Sequence, residues 1–367
     1  MIYKNFKGKK LSALGLGCMR FPMVPDAEGV VDEAATAEMF AQAFAKGINY
    51  FDTAWGYHNG NSETIVGKIL KNYPRDSFYL ATKFPGFSPK NMTKAAEIFE
   101  KQLEKCQVEY FDFYLFHNVA EKNIDGYTDE SIGVFKYLME QKKAGRIRHL
   151  GFSTHGSMAT IKRFLDTYGK DLEFCQIQLN YLDWDLQNAK AKVQLLNEYG
   201  IPVWVMEPVR GGKLAKLSDE EMALLNAHRP GVDAPEWAFR FLQSVEGVTM
   251  VLSGMSNMEQ LNQNIATFSE EKPLNDDEYK TLMGIAAEMI RKNAVPCTAC
   301  SYCTERCPQG LPIPELIKQY NENEKPGEMT PDMCLGCRNC EIVCPQGIMI
   351  SEIMEKFAEK LNKEYTL

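Results

Sequence analysis

The sequence predicts an α/β protein in which a parallel (β/α)8 barrel is followed by a small, mostly helical, cysteine-rich domain. From residue 14 to residue 253, short apolar runs rich in β-branched and aromatic residues alternate with longer amphipathic stretches. Eight of the 11 cysteines then fall in one segment, between Cys297 and Cys344. Because eight β/α units in about 250 residues are typical of a TIM barrel, we expect a barrel over residues 1–293 and a second domain over residues 294–367.

The expected elements follow one another along the chain in a regular order. Residues 1–13 alternate in polarity, which predicts a hairpin that closes the bottom of the barrel. Eight strands are predicted after it, at 14–18, 48–52, 78–83, 112–117, 148–153, 175–180, 202–207 and 249–253. Helical periodicity is found at 32–46, 93–105, 131–143, 158–168 and 270–293. Strands that are apolar on both faces and separated by helices are typical of parallel pairing with right-handed crossovers.

A doubly wound open sheet is the alternative arrangement of the same elements. It is expected to carry G-x-G-x-x-G after its first strand. Gly15-Leu16-Gly17 begins that pattern, but the third glycine is missing. The barrel is therefore the favoured prediction.

The overall composition excludes several classes of protein. The 41 Lys and Arg residues and 49 Asp and Glu residues give a net charge of −8, whereas a nucleic-acid binder needs clustered cations. No apolar stretch approaches the ~18 residues needed to span a bilayer. Residues 1–7 have no apolar stretch after their charges, unlike a secretory signal. We expect a soluble, cytoplasmic protein that binds neither nucleic acid nor membrane.

Polar or ionisable side chains stand at nearly every predicted strand end. In this fold the active site lies at the C-terminal ends of the strands. An Asp, a Lys and a His on successive strands therefore predict a catalytic site at the barrel mouth. The strand-end residues are Asp52, Lys83, His117, Ser153, Gln178, Asn180 and Glu207.

The clustered cysteines form two copies of C-x2-C-x2-C-x3-C-P, each followed by Gln-Gly. This run is the one found in bacterial two-cluster ferredoxins, where the fourth cysteine of each run ligates the other cluster. It therefore predicts two [4Fe-4S] clusters, one held by Cys297, Cys300, Cys303 and Cys344, and the other by Cys334, Cys337, Cys340 and Cys307. Zinc and disulfides are disfavoured alternatives. The clusters are expected either to move electrons or to act as structural staples for a small domain.

The barrel region resembles the aldo-keto reductases over roughly residues 10–265. The resemblance rests on the order and spacing of several motifs. They are Asp52-Thr53-Ala54-Trp55-Gly56-Tyr57, Lys83, His117, Gly151-Phe152-Ser153, Gln178-Leu179-Asn180-Tyr181 and Gly211-Gly212-Lys213-Leu214.

The resemblance implies a catalytic set of four residues that reduces a carbonyl group. Tyr57 is expected to be the general acid. A cation beside a phenol favours the phenolate and lowers its pKa, and Lys83 is expected to be that cation. Asp52 is expected to pair with Lys83, and His117 to orient the substrate oxygen.

The resemblance also implies a nicotinamide cofactor across the barrel mouth. Ser153, Gln178 and Asn180 are expected to hold its carboxamide end, and Gly254, Ser256, Gln260 and Asn264 its adenosine end. Met206 stands near the position where the family usually places an aromatic residue against the nicotinamide. Ser256 and Gln260 stand where a cation often grips the NADP 2′-phosphate, which predicts NAD preference or weak nicotinamide binding. FMN is an alternative occupant.

Three functions follow from joining the two regions. The first is a nicotinamide-dependent reductase of a small carbonyl or alcohol substrate, with clusters attached for electron exchange. The second is a reductase linked to a ferredoxin or flavodoxin, in which the clusters feed the substrate or a bound flavin directly. The third is an electron-transfer or redox-sensing module with a relict barrel site. We favour the first because Asp52, Tyr57, Lys83 and His117 are all present.

Overall fold

The structure, a computed structural model, describes residues 1–27, 29–292 and 295–364. A closed barrel lies at its centre, and within the described residues this barrel has eight strands, all parallel to their neighbours. Its strands are β3 (Leu14–Gly17), β4 (Tyr50–Asp52), β5 (Tyr79–Phe84), β6 (Phe111–Val119), β7 (Ile147–Thr154), β8 (Cys175–Gln178), β9 (Val203–Met206) and β10 (Val248–Ser253). β10 pairs with β3 and closes the barrel, so the barrel prediction is confirmed and the open sheet is excluded.

Each observed strand overlaps its predicted segment. The clearest difference is that β8 ends at Gln178, before Asn180. The side-chain Oδ1 of Asn180 accepts hydrogen bonds from the backbone N–H groups of Leu182 and Asp183. This local bonding turns the chain into a short helix, as Asn often does.

A two-stranded antiparallel hairpin, β1 (Tyr3–Phe6) and β2 (Lys9–Ser12), plugs the N-terminal end of the barrel. The Phe6 ring centroid lies 5.1 Å from that of Trp204 and 5.6 Å from that of Phe113, and all three side chains are buried. The predicted hairpin is therefore present, and its alternation in polarity comes from this one buried face.

Amphipathic helices surround the barrel. They are α1 (Glu33–Ala45), α2 (Ser62–Leu70), α3 (Ala95–Cys106), α4 (Ile124–Thr128), α5 (Val134–Lys143), α6 (Met158–Tyr168), α7 (Asp183–Leu186), α8 (Ala189–Glu198), α9 (Asp219–Asn226), α10 (Ala234–Gln243), α11 (Met258–Thr267) and α12 (Asp276–Lys292). Short 3₁₀ turns lie at Arg75–Ser77, Pro89–Lys94, Arg210–Ala215, Thr304–Arg306 and Pro331–Met333. Among the helices that the structure describes, none is long and apolar enough to cross a membrane.

The cysteine-rich region has a small hydrophobic core of its own. Its helices are α13 (Ile313–Glu322), α14 (Asn339–Ile342) and α15 (Ile350–Glu364). Leu316, Met354 and Phe357 are almost completely buried in that core, and cysteines pack against it. The predicted domain boundary, between residues 293 and 294, lies outside the described residues.

This region lies over the C-terminal ends of the barrel strands. The guanidinium of Arg210 donates to the backbone oxygen of Pro296 at 3.1 Å. The Lys122 ammonium donates to the backbone oxygens of Glu341 and Ile342 at 3.0 and 2.7 Å. Both cysteine runs are therefore anchored to the loops around the barrel mouth.

Candidate active site

A buried ion pair lies at the base of the barrel mouth. Asp52 ends β4 and Lys83 lies near the end of the neighbouring strand β5, so parallel pairing brings the two side chains together. Lys83 Nζ lies 2.6 Å from Asp52 Oδ1 and 2.8 Å from the backbone oxygen of Thr53. Lys83 is fully buried and Asp52 is 3% exposed. Water therefore screens this pair very little.

The phenol of Tyr57 lies next to this pair. Its hydroxyl is 3.5 Å from Lys83 Nζ, and the ammonium sits 5.0 Å from the ring centroid. Burial and then the negative charge of Asp52 raise the pKa of Tyr57 well above its usual value. This is opposite to the lowered pKa expected from the sequence, because the enclosure of the phenol and the negative charge of Asp52 outweigh the nearby Lys83 ammonium. Tyr57 is a protonated donor at neutral pH.

The His117 ring faces Tyr57 from the end of β6, with the two ring centroids 6.3 Å apart. Burial, followed by the positive charge of Lys83, holds the pKa of His117 well below its ordinary value. Its imidazole is therefore neutral, with one N–H to donate. Its Nδ1 has no hydrogen-bond partner among the described residues.

A cavity of about 720 Å³ opens above these side chains. Asp52, Tyr57 and His117 line it. Lys83 is not part of the lining but contacts both Asp52 and Tyr57. Six of the residues predicted to bind nicotinamide line the same cavity. They are Ser153, Met206, Gly254, Ser256, Gln260 and Asn264.

The other two predicted contacts, Gln178 and Asn180, bond to other parts of the chain. Both side-chain amides donate to Asp183 Oδ2 at 2.7 Å. Asp183 is in turn buried against Arg210, with Arg210 Nε 3.0 Å from Asp183 Oδ1. Gln178 Oε1 also accepts a hydrogen bond from the Gln346 amide at 2.8 Å. The sequence pattern gave no sign of the contacts with Asp183 and Arg210.

The cysteine-rich region contributes part of the cavity wall. Tyr302 and Gln346 line the cavity together with the cysteines Cys300 and Cys344. The Tyr302 hydroxyl lies 3.9 Å from Met19 Sδ, on the loop after β3. The motifs of the two regions predicted Cys300 and Cys344 as cluster ligands, but not Tyr302 and Gln346 as part of this cavity. The Gln-Gly that follows each cysteine run was the one available signal for Gln346.

The first predicted cysteine set comes together in space. Cys297, Cys300, Cys303 and Cys344 line one small cavity, although Cys344 belongs to the second run. Burial, followed by the negative charges of the other three, raises the pKa of Cys303 to about 12. Four cysteine side chains around one cavity, which Ile317, Ile348 and Ile350 also line, are the donor set that an iron–sulfur cluster requires.

The second predicted set is more exposed. Burial raises the pKa of Cys340 to about 11, and the charges of Glu341, Cys334 and Cys307 add to this. Cys307 of the first run is thus brought to the second run, while Cys337 is exposed. Within the described residues, no group of three or more His, Cys, Asp or Glu side chains is arranged to hold a single metal ion.

Two family models match the chain. The model described as "Aldo/keto reductase family" matches residues 13–287, and the model described as "4Fe-4S dicluster domain" matches residues 296–349. The first match covers most of the barrel, and the second contains all eight clustered cysteines.

Similar proteins agree with the first match. The chain is 29% identical over 214 residues to a soybean protein described as a probable aldo-keto reductase, and this alignment covers 56% of the chain but only 58% of that relative. It is 27% identical over 313 residues to an uncharacterised oxidoreductase of Bacillus subtilis, covering 77% and 95% of the two chains. It is 29% identical over 224 residues to the NADH-specific methylglyoxal reductase of Escherichia coli, covering 56% and 65%.

Solved structures show the same fold. An aldo-keto reductase from Bacillus halodurans in its holo form superposes with a TM-score of 0.62 at 24% identity, over 78% of this chain and 96% of that chain. An aldo/keto reductase from Klebsiella pneumoniae in complex with NADP and acetate gives a TM-score of 0.59 at 20% identity, over 76% and 93%. The chain belongs to the aldo/keto reductase family of oxidoreductases and carries a 4Fe-4S dicluster domain C-terminal to its barrel.

Proposed function

We propose that this protein reversibly reduces an aldehyde or ketone to the alcohol, with hydride from a nicotinamide cofactor and with two [4Fe-4S] clusters for electron exchange. The observation that carries the proposal is the contact of Lys83 Nζ with both Asp52 and Tyr57 beneath a cavity lined by His117. Carbonyl reduction needs one proton donor at the oxygen and an environment that stabilises charge developing there.

The four side chains divide this work. Tyr57 donates its proton to the carbonyl oxygen and becomes a phenolate. Lys83 stabilises that phenolate, because its ammonium is already oriented by Asp52 and the Thr53 carbonyl. The neutral imidazole of His117 donates a hydrogen bond to the carbonyl oxygen and polarises it.

The cavity suits a nicotinamide dinucleotide. The six cavity-lining residues Ser153, Met206, Gly254, Ser256, Gln260 and Asn264 would hold it. We retain Gln178 and Asn180 as proposed contacts of the carboxamide end, which requires their amides to exchange the hydrogen bonds that they donate to Asp183. The bound dinucleotide supplies a hydride. Ser256 and Gln260 offer no cation for a 2′-phosphate, so we propose that NAD binds more tightly than NADP. Titrating the purified protein with both dinucleotides tests this, and tighter NADP binding would contradict it.

The cysteine sets fit two iron–sulfur clusters. Cys297, Cys300, Cys303 and Cys344 would hold one cluster, since they already line one cavity. Cys307, Cys334, Cys337 and Cys340 would hold the other. Such clusters carry single electrons. We place the boundary between the two domains at residues 293 and 294.

One observation favours a second candidate function. Cys300 and Cys344 line the same cavity as Tyr57. In this second candidate, the cysteine-rich domain passes electrons into the cavity, either to the substrate or to a bound flavin such as FMN. A ferredoxin or flavodoxin would then be the external partner. Anaerobic purification followed by iron, sulfide, flavin and nucleotide analysis distinguishes the two candidates, because it identifies the electron carriers present.

The central experiment replaces Tyr57 with Phe in the full, anaerobically purified chain. We expect carbonyl reduction of 4-nitrobenzaldehyde or methylglyoxal by NADH to fall by about 10²–10⁴-fold, because the proton donor is lost. The visible absorbance of the clusters should not change. Tyr181→Phe is the matched control, since Tyr181 is a buried barrel tyrosine whose hydroxyl has no partner among the described residues. Full activity in Tyr57→Phe would refute the assigned acid.

A second experiment asks whether cluster ligands take part in turnover. Cys300→Ala is compared with Cys106→Ala, which removes a buried barrel thiol. Loss of NADH-driven carbonyl reduction in Cys300→Ala alone, with the fold retained, supports participation of the cysteine-rich domain. If a folded Cys300→Ala protein reduces the aldehyde at the normal rate, electron exchange is not part of that reaction.

A further inference from the structure

Glu207 is an ionisable residue of the cavity to which the proposed mechanism gives no role. It directly follows β9 and lines the cavity. Its backbone has φ of 59°, a left-handed conformation that is uncommon for residues other than glycine. The Asn180 amide and the backbone N–H of Arg210 both donate to its carbonyl oxygen. The fold therefore holds Glu207 in a strained conformation, and such strain is concentrated at functional sites.

The carboxyl group of Glu207 is not neutralised by a close partner. Its Oε2 is buried and has no hydrogen-bond partner among the described residues. An unpaired buried oxygen favours the neutral carboxyl group, because a buried charge without a partner is especially unfavourable. Burial therefore raises the pKa of Glu207 to about 7; Asp183 adds to the shift, and Arg20 and Arg210 oppose it. A group in this state is able both to donate and to accept a proton at neutral pH.

Glu207 also interacts electrostatically with the groups around the proposed proton donor. Its charge acts on Tyr57, on Tyr302 from the cysteine-rich region and on the thiol of Cys300. Arg20, from the loop after β3, lines the same cavity, and its positive charge lowers the pKa of Glu207. Asp183 and Arg210 complete this set of charged and titratable groups, because their charges also shift the pKa of Glu207.

The contrast with Glu121 shows what is particular to Glu207. Glu121 lines the same cavity, but its Oε1 accepts hydrogen bonds from the Ser157 backbone N–H at 2.7 Å and from the Thr160 hydroxyl at 2.8 Å. Burial is the largest single influence and opposes ionisation, but the hydrogen bonds together outweigh it and lower the pKa of Glu121 to about 2. Glu121 is thus a permanent carboxylate, unsuited to carrying a proton at neutral pH.

We propose that Glu207 returns a proton to Tyr57 after each reduction, an inference that rests on the proposed role of Tyr57 as acid. Reduction adds a hydride from the reduced dinucleotide to the carbonyl carbon and the Tyr57 proton to the oxygen. The O–H bond of the Glu207 carboxyl then breaks and an O–H bond forms on the Tyr57 phenolate, directly or through cavity water. The Glu207 carboxylate regains a proton from solvent water. The transfer is downhill because the pKa of Tyr57 lies well above that of Glu207.

The test separates the first turnover from later ones in full-length, cluster-loaded protein. Glu207→Gln is compared with the wild type and with the control Glu121→Gln, using NADH and 4-nitrobenzaldehyde. A single turnover with enzyme in excess consumes the proton already on Tyr57. We expect its rate in Glu207→Gln to stay within about 2-fold of the wild type, while the steady-state rate falls roughly 10-fold or more. Glu121→Gln should leave both rates unchanged.

Chemical rescue provides a readout that a structural role would not move. Formic acid or imidazolium added to Glu207→Gln should raise the steady-state rate and leave the first turnover as it is. The inference is overturned if the steady-state rate of Glu207→Gln is normal, if both phases slow equally, or if small acids give no rescue. Should Glu207→Gln fail to fold, Glu207→Met also removes the carboxyl group in a side chain of similar length and should show the same split between phases. Loss of the first turnover in wild type itself would instead refute the proposed function.

Discussion

The Asp52–Lys83 pair yields a prediction with a magnitude that comes directly from the geometry. With Lys83 Nζ 2.6 Å from Asp52 Oδ1, the Coulomb attraction is about 6 kcal/mol at an effective dielectric constant of about 20. Both side chains are buried, so each has lost its hydration in the folded state. Removing one partner therefore leaves an uncompensated buried charge, and breaking such a pair typically destabilises a protein by about 3–5 kcal/mol.

We expect Lys83→Met and Asp52→Asn each to lower the free energy of unfolding by about 3–5 kcal/mol. The double variant removes both charges and leaves neither without a partner. Its loss should be no larger than that of either single variant, which gives a coupling energy of about 3 kcal/mol or more. Some loss remains in the double variant because the Thr53 carbonyl oxygen no longer accepts from Lys83.

Urea unfolding of the four proteins, followed by tryptophan fluorescence, measures this coupling energy. Trp204 and Trp237 are fully buried in the barrel core and report its unfolding. The reasoning is wrong if the two single effects add to within about 0.5 kcal/mol in the double variant, because independent sites behave in that way. The measurement is independent of catalysis, so it tests the electrostatics of the site without any substrate.

Two further predictions concern the contact between the regions and the acid stability of the barrel. A Cβ at Gly211 would lie 2.0 Å from the backbone oxygen of Thr298, whereas one at Gly212 meets no atom within 4 Å, and both residues have positive φ. Gly211→Ala should therefore loosen the cysteine-rich region and speed its cleavage in limited proteolysis, and an equal effect of Gly212→Ala would attribute the change to backbone strain alone. Glu173 is partly buried, which raises its pKa, but hydrogen bonds from His149 and two lysines outweigh this and hold the pKa well below its usual value. Its stabilising contribution is therefore present above the unfolded-state pKa of about 4.3 and is lost as the pH falls. Glu173→Gln should therefore reduce the loss of unfolding free energy as the pH falls below about 4.3. The same acid-induced loss in Glu173→Gln and in the wild type would contradict the assignment.

The sequence was a good guide where local patterns decide the structure. The alternation of apolar runs and helices identified the barrel strands because each strand, such as β6, is buried on both faces. The spacing of the cysteines predicted that Cys344 would join the first run, and the structure brings them to one small cavity. Both patterns span few residues, and each directly determines which side chains are buried or brought together.

The sequence was a poor guide where distant segments meet. Gln346 lies 168 residues from Gln178 yet donates to its side chain, and no periodicity encodes that contact. The direction of the Tyr57 pKa shift was also mispredicted, because it depends on how deeply the phenol is enclosed and on the negative charge of Asp52 beside Lys83. Burial and charge balance of this kind belong to the folded structure and are not visible in a motif.

The placement of the cysteine-rich region affects how substrates are inferred from relatives. The matched barrel ends at residue 287, but Tyr302 and Gln346 line the cavity beyond that limit. Specificity in this fold resides in the loops around the mouth, and here part of that wall is supplied by another domain. A relative that has counterparts of Asp52, Tyr57, Lys83 and His117 but lacks the cysteine-rich region would therefore differ from this protein in the shape of the pocket. The substrate of this protein therefore has to be sought with the complete chain, since a truncated barrel would present an open cavity from which Tyr302 is missing.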